Sequence, residues 1–382
     1  MNNLDRWLAG IAATPLFILF SEVLEVPASV SNVLLLVVLV IPFFVVGVFK
    51  RRYHNFGKYS FVILLSLVLV IFNILLSEDI KLSLQYWIVY LVFTYGFYIW
   101  WCEIDSSENR TSIILRLTSR VGVYVGISAL VILILLMALE INDLKTFNSL
   151  GIISGSAICY LWFVKGIKTR FKWLLIAFLA VALFISLSRS SLVFTILTIF
   201  MVEILLSNQG KIRKAFIVFS GLIFVFFFSG SLLDWLSQKE LSGITSFSQI
   251  QNLNDDRSRL IENFMETYDD NFFTGYGINV SYQELSSWDI VDNLHVHNGI
   301  LDTVLQVGIP LAIVFIVFYL LALKRSYHLA RNNSSFAAIF GFLTYYAFRS
   351  YGESYFMLNI GNPMSISVII LVLFVLNLKN EK

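Results

Sequence analysis

The chain has 382 residues, of which 58% are hydrophobic and only 14% charged, and its mean hydropathy is +0.80. A soluble fold cannot hide that much apolar surface, whereas a bilayer accepts it, so the composition excludes a soluble enzyme or binding module. The net charge of +2 is uninformative about partners, and the two cysteines, Cys102 and Cys159, imply neither a disulfide framework nor a metal cluster.

Taken in chain order, apolar stretches long enough to cross roughly 30 Å of hydrocarbon fall at 7–24, 30–49, 59–77, 84–102, 119–139, 148–164, 173–187, 190–206, 214–233, 299–323, 335–350 and 361–377. After Arg6 the first run continues without a small-residue cleavage site, so it is expected to remain as a helix. With the N-terminus in the cytoplasm, the basic loops fall on one side. With Arg6, they carry Lys50, Arg51, Arg52 and Lys58, then Arg110, Arg116 and Arg120, then Lys165, Lys168, Arg170 and Lys172, then Lys211, Arg213 and Lys214, then Lys324, Arg325 and Arg331, and finally Lys379 and Lys382. Of the 27 Lys and Arg, 20 are inside by this count, and 19 of the 25 acids are outside. Such an imbalance over short loops fixes orientation. The expected architecture is all-α: a single transmembrane domain over 1–382 with about twelve spanning helices, both termini cytoplasmic. One large periplasmic loop, 234–297, would join the ninth and tenth helices.

The stretch from Lys172 to Lys211 is basic at both ends, and its apolar core would be about 50 Å long as one helix, too long for a single span. It must therefore fold as a hairpin with its apex at Ser186-Leu187-Ser188-Arg189-Ser190-Ser191. Each leg would be only about 22–26 Å long, which leaves Arg189 in a recess just below the outer surface. A charge at that depth is costly unless it faces a polar cavity or a partner, so Arg189 is a functional candidate.

Seven cations remain outside: Lys81, Lys145, Arg189, Lys239, Arg257, Arg259 and Arg349. An arginine fork suits bidentate phosphate binding and keeps its charge when desolvated. Several arginines under the outer surface thus suggest a lipid pyrophosphate. The plainer alternatives are loop pairing of Arg257 and Arg259 with Asp255, Asp256 or Glu262, and an i,i+4 pair between Arg349 and Glu353.

Before the tenth helix comes Asp292-Asn293-Leu294-His295-Val296-His297-Asn298-Gly299. Histidine titrates near neutrality and can take a proton from a sugar hydroxyl as that oxygen attacks. The pair His295 and His297 can also be read as two metal ligands lacking a third at a specific spacing, and Asn298 as a helix N-cap.

These residues also carry a resemblance. His297-Asn298-Gly299-Ile300-Leu301, with Gly308 and Ile309-Pro310 beyond, resembles the His-Asn-x-x-Leu…Gly signature of the O-antigen ligase and polysaccharide polymerase superfamily. Leu187-Ser188-Arg189-Ser190 resembles its Ser-Arg turn, although a glycine often follows that arginine. Leu260–Phe264 followed by Phe273-Thr274-Gly275-Tyr276-Gly277 resembles its periplasmic loop, and the likeness covers about 180–377. The resemblance implies an inverting, metal-independent and cofactor-free glycosyl transfer at the periplasmic face of the bacterial inner membrane. The donor would be an undecaprenyl-pyrophosphate-linked oligosaccharide. His297 would assist the acceptor hydroxyl, Arg189 with Arg257, Arg259 or Arg349 would hold pyrophosphate, and His295 and Asn298 would line the substrate. Membrane lipids and a chain-length regulator are expected partners; nucleic acid is not.

Polymerase is the favoured activity, with a lipid-linked glycan as acceptor; a ligase would use the lipid A-core instead. Two further readings are a metal-dependent lipid-sugar transferase with Glu22 or Glu25 as base, and a transporter. The second would favour inverted repeats and broken midplane helices, which are not evident.

Overall fold

A computed structural model of the chain describes residues 60–77, 79–103, 144–186, 188–206, 273–278, 298–352 and 363–377, with isolated helical positions between 123 and 134. Every regular element among them is helical: α1 Ser60–Leu75, α2 Ile80–Glu103, α3 Leu144–Phe163, α4 Thr169–Ile185, α5 Arg189–Leu206, α6 Gly299–Asn332, a short 3-10 turn Ser334–Phe336, α7 Ala337–Gly352 and α8 Pro363–Asn377. The expected spans at 7–24, 30–49 and 214–233 lie outside the described residues, as does most of the loop 234–297.

Among the described residues α6 is long and apolar enough to cross a membrane on its own. The shorter helices carry the same signature in their faces. On α4, Leu175, Ile176, Leu179, Ala182 and Leu183 are buried, while Phe171, Trp173, Leu174, Phe178, Val181 and Phe184 are exposed. A helix that is apolar all round, with one side still uncovered, belongs in lipid.

The packing centres on α3, which touches α4, α5 and α7. Its residues Gly151, Ser154, Gly155, Ser156 and Ala157 are all buried. Small side chains let helix backbones approach closely where lipid supplies no hydrophobic force between helices. A methyl group on Gly155 would stand 2.5 Å from Thr195 Oγ1 and 2.6 Å from the Tyr345 hydroxyl, so α5 and α7 meet directly over α3. At the other end of α3, Lys172 Nζ donates to the carbonyls of Trp162 (2.8 Å) and Val164 (3.2 Å).

The hairpin expected between Lys172 and Lys211 is present as α4 and α5, of 17 and 18 residues, joined at Ser186–Ser188. At 1.5 Å per residue they are about 26 and 27 Å long. The apex is tighter than expected, because Ser190 and Ser191 already belong to the first turn of α5.

Helix α6 is not continuous, which corrects the expectation that no Gly/Pro-broken helix is present. Gly308 is left-handed and non-helical (φ 74°, ψ 164°), and Pro310 follows two residues later. Pro310 has no N–H to offer the carbonyl of Gln306 one turn back, so the helical ladder is cut there. The segment 273–278 fills the gap. Tyr276 N–H donates to Leu305 O and Gly277 N–H to Gln306 O, both at 2.9 Å. Irregular backbone at membrane depth is tolerated only when protein satisfies the freed groups in this way. The approach is so close that a Cβ on Gly308 would lie 2.2 Å from Phe273 O, and one on Gly275 (φ 67°) 2.5 Å from Gly308 N. Both glycines are required.

Candidate functional site

Two regions at the ends of these helices hold those singled-out residues that the structure describes: Arg189, Arg349 and Asn298. The first is the turn between α4 and α5. Ser186 Oγ donates to Leu183 O (2.6 Å) and accepts from Ser188 N–H at 3.4 Å. Ser188 Oγ lies 2.8 Å from Ser191 Oγ, and Ser188 O accepts from Leu192 N–H at 3.1 Å, which starts α5. Thr195, one turn further, returns its hydroxyl to Ser191 O (2.6 Å). These local serine and threonine bonds compete with helical ones at a terminus and so stop one helix and begin the next. The turn rests on α3: a Cβ at Gly151 would stand 2.5 Å from both Ser186 Oγ and Ser188 Cβ.

Arg189 is the first residue of α5, with its backbone alone described. Arg349, in the last turn of α7, is 1% exposed, one of the largest fully buried side chains among the described residues. Its Nη1 donates to Ser190 Oγ at 2.5 Å, across 159 residues of sequence. Phe194 and Phe348 stack beside it, ring centres 6.3 Å apart. The fold therefore brings Arg349 to the residue that follows Arg189. This sets a permanent cation against the N-terminus of α5, where the helix dipole is already positive. A guanidinium and a helix N-terminus each favour an anion, which is the chemistry this pair of groups can supply.

The second region is the start of α6. Asn298 stands at the N-cap in extended conformation, its Oδ1 accepting from the N–H groups of Ile300 (3.1 Å) and Leu301 (3.2 Å). The amide oxygen thus serves the cap. One turn on, Asp302 is 7% exposed and accepts from Gln306 Nε2 at 3.0 Å. His297, immediately before the cap, lies outside the described residues, as do His295, Arg257 and Arg259.

Sequence reasoning missed three residues here. Ser190 was passed over as mere turn composition, yet it holds the Arg349 guanidinium. Asp302 was overshadowed by the histidines upstream. Asn73 is an amide within an apolar run, a position where polar groups are costly and therefore informative. Its Nδ2 donates to Thr274 O and, at 2.8 Å, to Gln306 O, joining α1 to the outer segment and to the break in α6.

The fold and these contacts define a helical protein of membrane character, with a buried arginine and a seam of hydroxyls where α7 meets the start of α5. Residues 174–316 match the family model of O-antigen ligase, and over that stretch the chain is similar to this family. That stretch runs from the second turn of α4 through Ser188-Arg189 to beyond Pro310 of α6. No curated protein matches the chain. The family implies a glycosyltransferase-like activity on lipid-linked glycans.

Proposed function

We propose that the chain polymerises polysaccharide repeat units, of O-antigen or of a capsule or exopolysaccharide, at the periplasmic face of the bacterial inner membrane. It takes glycan from an undecaprenyl-pyrophosphate donor and passes it to a hydroxyl of a lipid-linked acceptor. About twelve spans, cytoplasmic termini and a periplasmic loop at 234–297 accompany this reading, as the positive-inside pattern expects. The observation that carries it is the buried Arg349 guanidinium on Ser190, beside Arg189 at the N-terminus of α5.

The chemistry needs little more. Pyrophosphate is a good leaving group, so the protein has to neutralise its charge and aim the acceptor oxygen. Arg189 and Arg349, with Arg257 or Arg259, hold the two phosphates. His297 takes the acceptor proton as that oxygen bonds to the anomeric carbon from the face opposite the pyrophosphate. The old carbon–oxygen bond breaks with its electron pair going to the lipid pyrophosphate, and the configuration inverts. Asn298 caps the half-helix behind the base, and His295 lines the acceptor side. No metal or cofactor enters the scheme.

Transfer to lipid A-core is the second reading, and the family match is compatible with both acceptors. Purified protein given lipid-linked repeat units, with and without EDTA, tests the mechanism. His297→Ala should lose about 10²–10⁴-fold in rate, the range of a positioned proton-transfer group. Full activity in His297→Ala removes the base. Loss of wild-type activity in EDTA hands the case to a metal-dependent transferase. Product appearing only when lipid A-core is added makes it a ligase.

A further inference from the structure

We propose that Asn73 is a positioning residue for glycosyl transfer, a latch that holds the first half of α6 and the outer segment 273–278 on the α1–α2 hairpin. The inference rests on the reading that His297 and Asn298 stand at the acceptor.

The need for a latch follows from the break in α6. Beyond Gly308 and Pro310 the residues Gly299–Val307 form a separate half-helix, no longer held in line by the hydrogen-bond ladder of the rest. Whatever aims that half-helix also aims the cap at Asn298 and the histidine before it. Asn73, 0% exposed near the end of α1, uses both ends of its amide. Its two N–H bonds go to Thr274 O and Gln306 O, which lie 201 and 233 residues away in sequence. Its Oδ1 accepts from Trp87 Nε1 at 2.7 Å. Ser77, one turn further along the chain, adds a bond from its hydroxyl to Tyr276 O at 3.0 Å.

Gln306 O is the carbonyl that Pro310 leaves without its helical partner, so Asn73 and Gly277 replace the missing rung. Trp87 completes the bridge. Its ring stacks on Phe315, beyond the break, at 6.5 Å, while its N–H grips Asn73, which grips Gln306 before the break. The pair Asn73–Trp87 therefore ties the two halves of α6 through side chains where the backbone no longer does. An amide serving only to glue α1 to α6 would need one acceptor; this one also takes a carbonyl of the outer segment. Asparagine is specified by the donor and acceptor count, since aspartate lacks the two donors and leucine lacks all three groups.

Kinetics and labelling together test the latch in the full-length protein. Asn73→Ala should lower kcat about tenfold, because buried carbonyls lose their donors and the half-helix drifts, while donor KM stays within about twofold. Ser77→Ala, a milder change that keeps the amide, should lower kcat by roughly threefold. Ile278→Cys places a thiol at a position that is 0% exposed behind the latch. A membrane-impermeant maleimide should label it roughly tenfold faster when Asn73→Ala is added. Asn73→Asp at neutral pH should behave like the alanine variant, and its rate relative to wild type at the same pH should recover on acidification, as a protonated carboxyl regains one donor. A purely structural role predicts no such recovery. Unchanged kcat in Asn73→Ala beside an active wild type overturns the latch, as does unchanged labelling. If Asn73→Ala fails to insert, Ser77→Ala decides alone, and normal kcat there overturns the proposal. An inactive wild type, or a fully active His297→Ala, overturns the functional reading itself and the role of Asn73 with it.

Discussion

Adding one methyl group at Gly151 should slow catalysis although this residue touches no substrate. An ideal Cβ there falls 2.5 Å from Ser186 Oγ and from Ser188 Cβ, and 3.2 Å from Ser188 Oγ. Carbon–carbon contacts prefer about 3.5–4.0 Å, so the opposing atoms must retreat by roughly 1 Å. Neither can swing aside. Ser188 Cβ is fixed to the backbone, and Ser186 Oγ is held on Leu183 O. The turn must therefore move as a whole, and it carries Arg189 and Ser190. Overpacking of this kind costs about 1–3 kcal/mol of stability. A displacement of about 1 Å in a positioned group can cost up to roughly 10²-fold in rate. Gly151→Ala should then insert normally, melt somewhat lower in detergent, and form glycan ladders ten- to a hundredfold more slowly, about 1.4–2.7 kcal/mol of barrier. Gly166→Ala is the control. Gly166 has φ +87° and nothing within 4 Å of an added Cβ, so alanine there strains the backbone by about 1–2 kcal/mol without moving the recess. Stability should fall in both variants and rate only in the first. Gly151→Ala with wild-type rate would refute the claim that the turn sets the arginines.

Two further outcomes follow from the same geometry. Arg349→Lys keeps the charge but loses the two-pronged fork, and should cut the ladder rate at least tenfold with a raised donor KM; wild-type kinetics would remove Arg349 from the pyrophosphate site. Reporter fusions near Asn55, Thr169, Gly210 and Arg331 should read cytoplasmic and fusions within the Ser237–Asp292 loop periplasmic; a cytoplasmic signal from the loop reverses the orientation and removes the periplasmic site.

The helices described between residues 60 and 377 lie within a few residues of the apolar runs because bilayer thickness, an external ruler, sets their length. The α4–α5 hairpin was legible for a related reason: two basic ends cannot lie on opposite faces. The end of α6 was not. The apolar run stops at 323, but the helix continues to Asn332, and Arg325 donates to Leu376 O at the end of α8. Charge marks where the membrane ends, and a helix can continue beyond it. The site divides along the same line. Arg349 was visible as a cation at membrane depth, whereas its bond to Ser190 spans 159 residues and leaves no local pattern. Gly308 and Pro310 were visible as residues, but the docking of 273–278 into the break between them depends on backbone geometry that no periodicity encodes.

The contact that Arg349 makes also bears on what the recess is for. Burying a guanidinium in a membrane protein is expensive, and a helical bundle can offset the cost with a carboxylate or with neutral donors and acceptors. A carboxylate cancels the charge. A hydroxyl accepts one N–H and adds no charge of its own. Ser190 is a hydroxyl contact, and the surrounding seam continues in kind: Ser188 with Ser191, Thr195 on Ser191 O, and Tyr345 on Ile152 O at 3.3 Å. Gly151 and Gly155 on α3 make room for this seam, since any side chain there would collide with Ser188, Thr195 or Tyr345. The small residues of α3 and the hydroxyls of α5 and α7 are thus parts of one arrangement. Close packing brings the helices together around a buried cation, and the Ser190 hydroxyl is among the groups that hold it. On the proposed reading this cation serves the diphosphate of a lipid carrier, and the match between an arginine fork and phosphate is why a lysine should not replace it.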